Sequence, residues 1–285
     1  MRLDLLTQLL AVPTCSRREH RMVEFLLNHI RERGLERCGL AWADRWNNVF
    51  IRKGSLEPVP LACAHLDSVF GWSEVEIVEH DGLLVGFDRN GQRSGIGGDD
   101  KTGIAIVLEL LERFENIAAA LFGAEEVGFL GAQNADAAFF EHVGYALEFD
   151  APATGLVSHV AGGQRLFQKD GEFIEVSMPV LRRFAFIHFQ RHPFTDVTGL
   201  RQRFAFSCAN VSSGYYNWHR DDEYVKIADV EKTLAMATEL IAALGNRRYD
   251  YDACKPDTGK PPVEVTELRL PVTHDRAKNT LCTRR

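Results

Sequence analysis

Five polar clusters stand in order along this chain, and their side chains are of the kinds that hold metal ions: His65-Leu66-Asp67, Asp99-Asp100-Lys101, Glu125-Glu126, Asp150 and His219. A divalent ion such as zinc takes imidazole nitrogen and carboxylate oxygen, and two neighbouring ions need a carboxylate able to bridge them. The clusters supply two histidines and more carboxylates than ligation requires, which leaves an acid free for proton transfer. Their order reads as a dinuclear metal site with its own general base. Each cluster alone also has an ordinary reading as solvated surface, so its setting matters.

His65 and Asp67 follow Pro60-Leu61-Ala62-Cys63-Ala64, an apolar run that predicts a buried strand ending where the polar residues begin. Alternate residues of an extended segment share a face, and a carboxylate beside a ligating imidazole fixes its tautomer. Asp99 and Asp100 follow Gly95-Ile96-Gly97-Gly98 and open a helix predicted from Lys101 to Phe114, where Ile104, Val107, Leu108 and Leu111 recur at helical spacing. One of these two acids has the plain alternative of a helix cap. The glycine-rich turn lacks the spacings of a P-loop or a dinucleotide fingerprint. Glu125-Glu126 follows a predicted strand over 118–124, and Asp150 closes another, Tyr145-Ala146-Leu147-Glu148-Phe149. Acids placed repeatedly at strand ends match the crevice where open α/β sheets bind ligands. His219 ends a polar and aromatic loop, Ser212 to Trp218, ahead of an amphipathic helix predicted over Ile227 to Leu244.

Alternating strand and helix patterns, with 45% hydrophobic residues, give an α/β fold. One globular domain is expected over 1–245, and a proline-bearing arm or partly disordered tail over 246–285. A hairpin is predicted from Val75-Glu76-Ile77-Val78 through Asp81-Gly82 to Leu83-Leu84-Val85-Gly86-Phe87. Strand-like runs at 173–176, 184–189 and 204–208 are expected to complete the sheet and the pocket rim. His188 and His192 fall there as surface or rim residues, and Asp196 as a shaper of the pocket. A net charge of -7 argues against nucleic-acid binding. Six scattered cysteines without a CxxC pair read as free thiols in a reducing compartment, and no apolar run reaches membrane-spanning length, so a soluble cytoplasmic protein is expected.

Taken together, these stretches resemble the co-catalytic zinc peptidase superfamily that includes the M20, M28 and M42 metallopeptidases. The resemblance rests on His65-Leu66-Asp67, Gly98-Asp99-Asp100-Lys101-Thr102-Gly103, Glu125-Glu126-Val127-Gly128 and the His219 segment ending Glu223-Tyr224-Val225. The opening segment is similar too: a helix, Val12-Pro13-Thr14, Glu19, a second helix, Gly34, then Asn48 before a strand. The resemblance implies a three-layer αβα sandwich with a mixed, mostly parallel central sheet. It implies two divalent ions, with zinc the expected metal. His65, Asp99 and Asp150 would bind one, and Asp99, Glu126 and His219 the other. Asp67 would orient His65, and Glu125 would act as general base. The family's bridging aspartate sits two residues before the lysine-like position, which selects Asp99 over Asp100, and the peptide bond after it is often cis. A tyrosine stabilises the oxyanion in some relatives, which makes Tyr215 and Tyr216 candidates beside their plain reading as packing residues.

The chain also departs from its relatives. Only 68 residues separate Asp150 from His219 and 31 separate Asp67 from Asp99, too few for the lid that M20 or M42 members insert at those places. A lidless catalytic domain is expected, as in M28 aminopeptidases. The implied activity is hydrolysis of peptide amide bonds by an aminopeptidase or dipeptidase acting on short peptides. The alternatives are an N-acyl amino acid deacylase with the same site and a non-catalytic binding protein on the same fold. A homo-oligomer is left open.

Overall fold

The computed structural model describes residues 1–35, 39–70 and 74–251. The chain opens with two helices, α1 (Leu3–Ala11) and α2 (His20–Glu32), and then forms β1 (Gly39–Ala43), β2 (Val49–Lys53) and β3 (Val59–His65). The predicted hairpin is β4 (Glu76–His80) and β5 (Leu83–Phe87), followed by the short β6 (Arg93–Ser94). Next come α3 (Gly98–Arg113), β7 (Ile117–Phe122), α4 (Leu130–Asn134) and β8 (Val143–Ala151). The stretch between Asp150 and His219 builds β9 (Leu156–Ala161), β10 (Gln164–Arg165), α5 (Glu172–Arg183), β11 (His188–His192), α6 (Asp196–Arg203), β12 (Ser207–Ser212) and β13 (Tyr215–Tyr216). The chain then runs through β14 (Tyr224–Lys226) into α7 (Ile227–Leu244).

The central sheet has nine strands in the order β1-β2-β7-β3-β8-β12-β9-β10, with β11 paired to β9. Its middle, β7-β3-β8-β12, is parallel, whereas β2 joins β7 and β9 joins β12 antiparallel. Strands β3, β7 and β8 are buried at every position, as parallel strands covered on both faces must be. Helix α3 packs on these three strands and against α1 and α7, while α6 packs on β3, β8 and β12 and carries α4. The result is the expected α/β sandwich. A second, five-stranded antiparallel sheet, β13-β14-β5-β4 with β6 on β5, joins the hairpin to the segment around His219.

This order makes β7, β3 and β8 immediate neighbours, so the chain positions just beyond their carboxyl ends meet in one crevice. Asp67 and Glu125-Glu126 lie just beyond β3 and β7, and Asp150 is the penultimate residue of β8. Helix α7 spans the predicted range, and Val230, Leu234, Ala237, Ile241 and Leu244 of its stripe are buried.

Some expectations fail for local physical reasons. Residues 173–176 are helical, within α5, because Phe173, Ile174, Ser177, Met178 and Leu181 bury one helical face. The aromatic and β-branched letters of that run imitate a strand when read without this longer period. The run at 184–189 becomes strand only from His188, since Phe184 ends α5 and Ala185 has φ 56°. The run at 204–208 starts late in the same way, at Ser207, because Phe204 ends α6. The domain also extends past residue 245. Tyr249 is buried, its ring 5.7 Å from Tyr145 and 5.8 Å from Phe173, and Asp250 bridges to Phe206. The tail from 252 lies outside the described residues. Cys15, Cys63 and Cys208 are buried, Cys63 and Cys208 as free thiols, and among the described residues no helix is long and apolar enough to cross a membrane. Cys38, Cys254 and Cys282 lie outside the described residues.

Candidate metal centre

Strand β3 delivers His65 into the crevice almost fully buried, at 1% exposure. Its Nε2 stands 3.0 Å from Asp99 Oδ1 and 3.6 Å from Asp150 Oδ1. On the other side, His219 Nε2 stands 2.9 Å from Glu126 Oε1 and 3.2 Å from Asp99 Oδ2. Asp99 thus turns one oxygen to each histidine. In each of the groups His65–Asp99–Asp150 and Asp99–Glu126–His219, one ligand atom per residue lies within 4.8 Å of the others. The sequence-predicted ligands converge as two triads that share Asp99.

Supporting bonds explain why these side chains are held there. Glu223, fully buried, accepts the backbone N–H groups of Ile96 (2.8 Å), Gly97 (2.7 Å) and Asp99 (3.2 Å), which fixes the loop before α3. A Cβ on Gly98 would stand 2.8 Å from Val225 Cγ2, so only glycine lets this loop approach β14. The Asp99–Asp100 peptide is cis. Asp100 turns away from the crevice and accepts N–H groups of His65 and Gly103, both at 3.1 Å. Lys101 is buried and donates to the carbonyls of Leu10 (3.0 Å), Val12 (2.9 Å) and Ile96 (3.2 Å). Asn210 holds Asp150 from both sides of its peptide unit, accepting its N–H at 2.9 Å and donating to its carbonyl at 2.7 Å.

Asp67 has a wider task than the sequence suggests. Its Oδ1 is 3.5 Å from His65 Nδ1, too long for a hydrogen bond. Its bonds instead go to the backbone N–H groups of Glu125 (2.9 Å) and Glu126 (3.2 Å) and to the Ser16 hydroxyl (2.7 Å). Asp67 therefore fixes the loop that carries Glu125 and Glu126. Glu19 adds a second tie, accepting from Ala124 N–H at 3.1 Å, and Asn48 a third, accepting from Gly123 N–H at 3.0 Å and donating to the Gly131 carbonyl at 3.0 Å.

Neither tyrosine is free to serve an oxyanion. Tyr215 donates to Asp150 Oδ1 at 3.2 Å, and Tyr216 donates to Asp229 at 2.5 Å while stacking on Tyr224. His188 is exposed, and His192 holds its Nδ1 2.8 Å from the Phe194 carbonyl; neither joins a triad. Asp196 is fully buried in the first turn of α6, behind the crevice and beside Glu148.

Burial pushes Glu125 well above its ordinary carboxyl range and Glu126 up to about 7. Asp99 is buried as well, yet its bonds to His219 and His65 hold it below the usual range. Burial opposes protonation of His219, but Glu126 and Asp99 raise it to about 11. So many acids brought together in a dry crevice repel one another unless cations neutralise them. The donor set, one imidazole and two carboxylates in each triad with one carboxylate shared, fits a pair of divalent ions.

The sequence matches no protein-family model and no curated protein. By structure the chain is similar to the aminopeptidase PepT of Bacillus cereus, at 11% identity, a TM-score of 0.71, and coverage of 85% of this chain and 97% of that one. It is similar to a tripeptidase of Staphylococcus aureus, at 12% identity, a TM-score of 0.69 and coverage of 85% and 98%. A TET aminopeptidase from a marine sediment archaeon aligns at 14% identity, a TM-score of 0.64 and coverage of 84% and 96%. At these identities the likeness establishes a shared fold.

Proposed function

We propose that this chain is a dinuclear metal-dependent hydrolase of amide bonds, acting as an exopeptidase on short peptides. The observation that carries this reading is the pair of ligand triads sharing Asp99, with Glu125 buried beside them. His65, Asp99 and Asp150 would hold one ion, and Asp99, Glu126 and His219 the other. Two bound divalent ions would supply Lewis acidity toward the scissile carbonyl and make water acidic enough to ionise near neutral pH. Zinc suits these ligands, as do cobalt and manganese.

Within this site Glu125 takes the proton of the attacking water and returns it to the departing nitrogen. Burial raises its affinity for a proton, which suits a group that takes one from water. Asp67 keeps the Glu125 and Glu126 backbone in place through its two bonds, and Glu223 does the same for Asp99. The Tyr215 hydroxyl steadies Asp150. The fold shared with two aminopeptidases and a tripeptidase supports peptides as substrates. The buried thiols Cys15, Cys63 and Cys208 support a reducing, cytoplasmic setting.

The test compares metal content and peptide hydrolysis of the wild type with those of Glu125→Gln. The variant should keep about two ions per chain and lose about 10²–10⁴-fold in turnover. A fully active variant would overturn the assignment of the base. Cleavage confined to acylated amino acids would move the reading to a deacylase with the same chemistry. Failure to bind any divalent ion would leave a binding protein on a peptidase fold.

A further inference from the structure

A groove of about 470 Å³ borders the loop that carries Glu125, and Arg17, Glu19, Arg45, Trp46, Asn47 and Ala124 line it. That size falls within the range of ~300–1,000 Å³ typical of small-ligand clefts. Arg17 and Arg45 are exposed, and neither guanidinium has an ion-pair or hydrogen-bond partner among the described residues. Trp46 adds an indole N–H that is buried without a partner. Glu19, the acid in this wall, does not neutralise the guanidiniums directly. Its oxygens accept the N–H of Arg17 at 2.6 Å, the N–H of Ala124 at 3.1 Å and the Asn47 amide at 2.8 Å.

The wall is also built at a backbone cost. Arg17 (φ 67°), Asn47 (φ 63°) and Ala124 (φ 57°) all hold the left-handed conformation that suits glycine. Such conformations gather at ligand-binding sites, where surrounding bonds enforce them. The enforcing bonds here are those of Glu19 and the bond from Ser16 to Asp67, the residue that fixes the Glu125 loop. The groove is therefore tied rigidly to the group that protonates the departing nitrogen.

We infer that this groove is an anchor for the free α-carboxylate of the amino acid or short peptide that leaves after amide cleavage. Two unpaired guanidiniums on the wall of one groove are donors without acceptors, and a carboxylate takes a forked guanidinium in two parallel bonds. The inference rests on the proposed hydrolase reading and narrows its substrates to short chains ending in a free carboxylate, whether dipeptides or N-acyl amino acids.

The test is calorimetric binding of alanyl-alanine and of its C-terminal amide to the full-length Glu125→Gln protein, alone and combined with Arg17→Ala and Arg45→Ala. N-acetyl-alanine and its amide form a second arm that separates acyl amino acids from peptides. The acid should bind at least about tenfold more tightly than the amide, and this ratio should fall to about threefold or less without the two arginines. In the wild type, kcat/KM should show the same preference, expressed in KM. Equal binding of acid and amide, or a preference that survives both substitutions, would overturn the anchor. A wild type that hydrolyses neither substrate class while the calorimetric preference holds would refute the hydrolase reading and keep the carboxylate site.

Discussion

The two triads that meet at Asp99 are built from different material. His65 and Asp150 stand on neighbouring strands of the sheet and are 1% and 3% exposed. Glu126 and His219 stand on loops; the His219 side chain is 32% exposed, and its backbone has φ 63°. One side is fixed by a sheet ladder and by Asn210 across a buried peptide, the other by Asp67 and the small sheet around β14. Ligands on a sheet give a stiff site, and ligands on loops give one that opens more readily. The difference teaches that the two cations of the proposed site would be held with unequal grip.

The strongest way to break this comparison is Asp99→Ala, which removes the shared ligand. Both ions should be lost on metal analysis, and turnover should fall by more than the ~10²–10⁴-fold cost of losing a base alone. Retention of one tightly held ion would show that the triads do not share Asp99. Next in size is graded chelation, read by metal content against activity. The ion on the His219 side should leave first, in a distinct phase, and His219→Ala should keep one ion where His65→Ala also lowers the melting temperature. Loss of both ions in a single step would erase the difference between the two sides. A smaller effect sharpens it: Glu223→Gln and Asn210→Ala remove supports without touching a ligand, and each should weaken metal affinity by about 10–100-fold.

The smallest effect lies away from both triads and serves as a control. Burial lowers the pKa of His29 on α2 below its ordinary 6.5, with Arg2 adding to the shift, and its Nε2 is buried without a partner. The folded chain thus resists a proton that the unfolded chain accepts near 6.5, so stability is intact above that pH and declines as pH falls through it. Denaturant melts should show this decline in the wild type and a flatter profile in His29→Gln, with metal content unchanged in both.

Of the candidate ligands, His65, Glu126 and Asp150 were legible because each ends or follows an apolar run whose length and composition already specify a buried strand, whereas Asp99 and His219 stood out by residue type and by the resemblance. His65 after Pro60–Ala64 and Asp150 after Tyr145–Phe149 are of this kind. The hairpin and α7 were legible from turn chemistry and helical period. The supports were not. Glu223 meets Ile96, Gly97 and Asp99 across more than a hundred residues of chain, and nothing local marks a carboxylate destined to accept backbone N–H groups. Ser16 reaches Asp67 in the same long-range way. Helix α5 was missed because Phe173, Ile174 and Val176 favour strand by type and helix only by spacing.

Lys101 gives the opening of the chain an unexpected reach. Its ammonium gathers the carbonyls that end α1 and the carbonyl of Ile96, three residues ahead of Asp99. Trimming α1, or fusing a bulky partner there, would strip acceptors from a sequestered cation and slacken the segment that seats the shared aspartate.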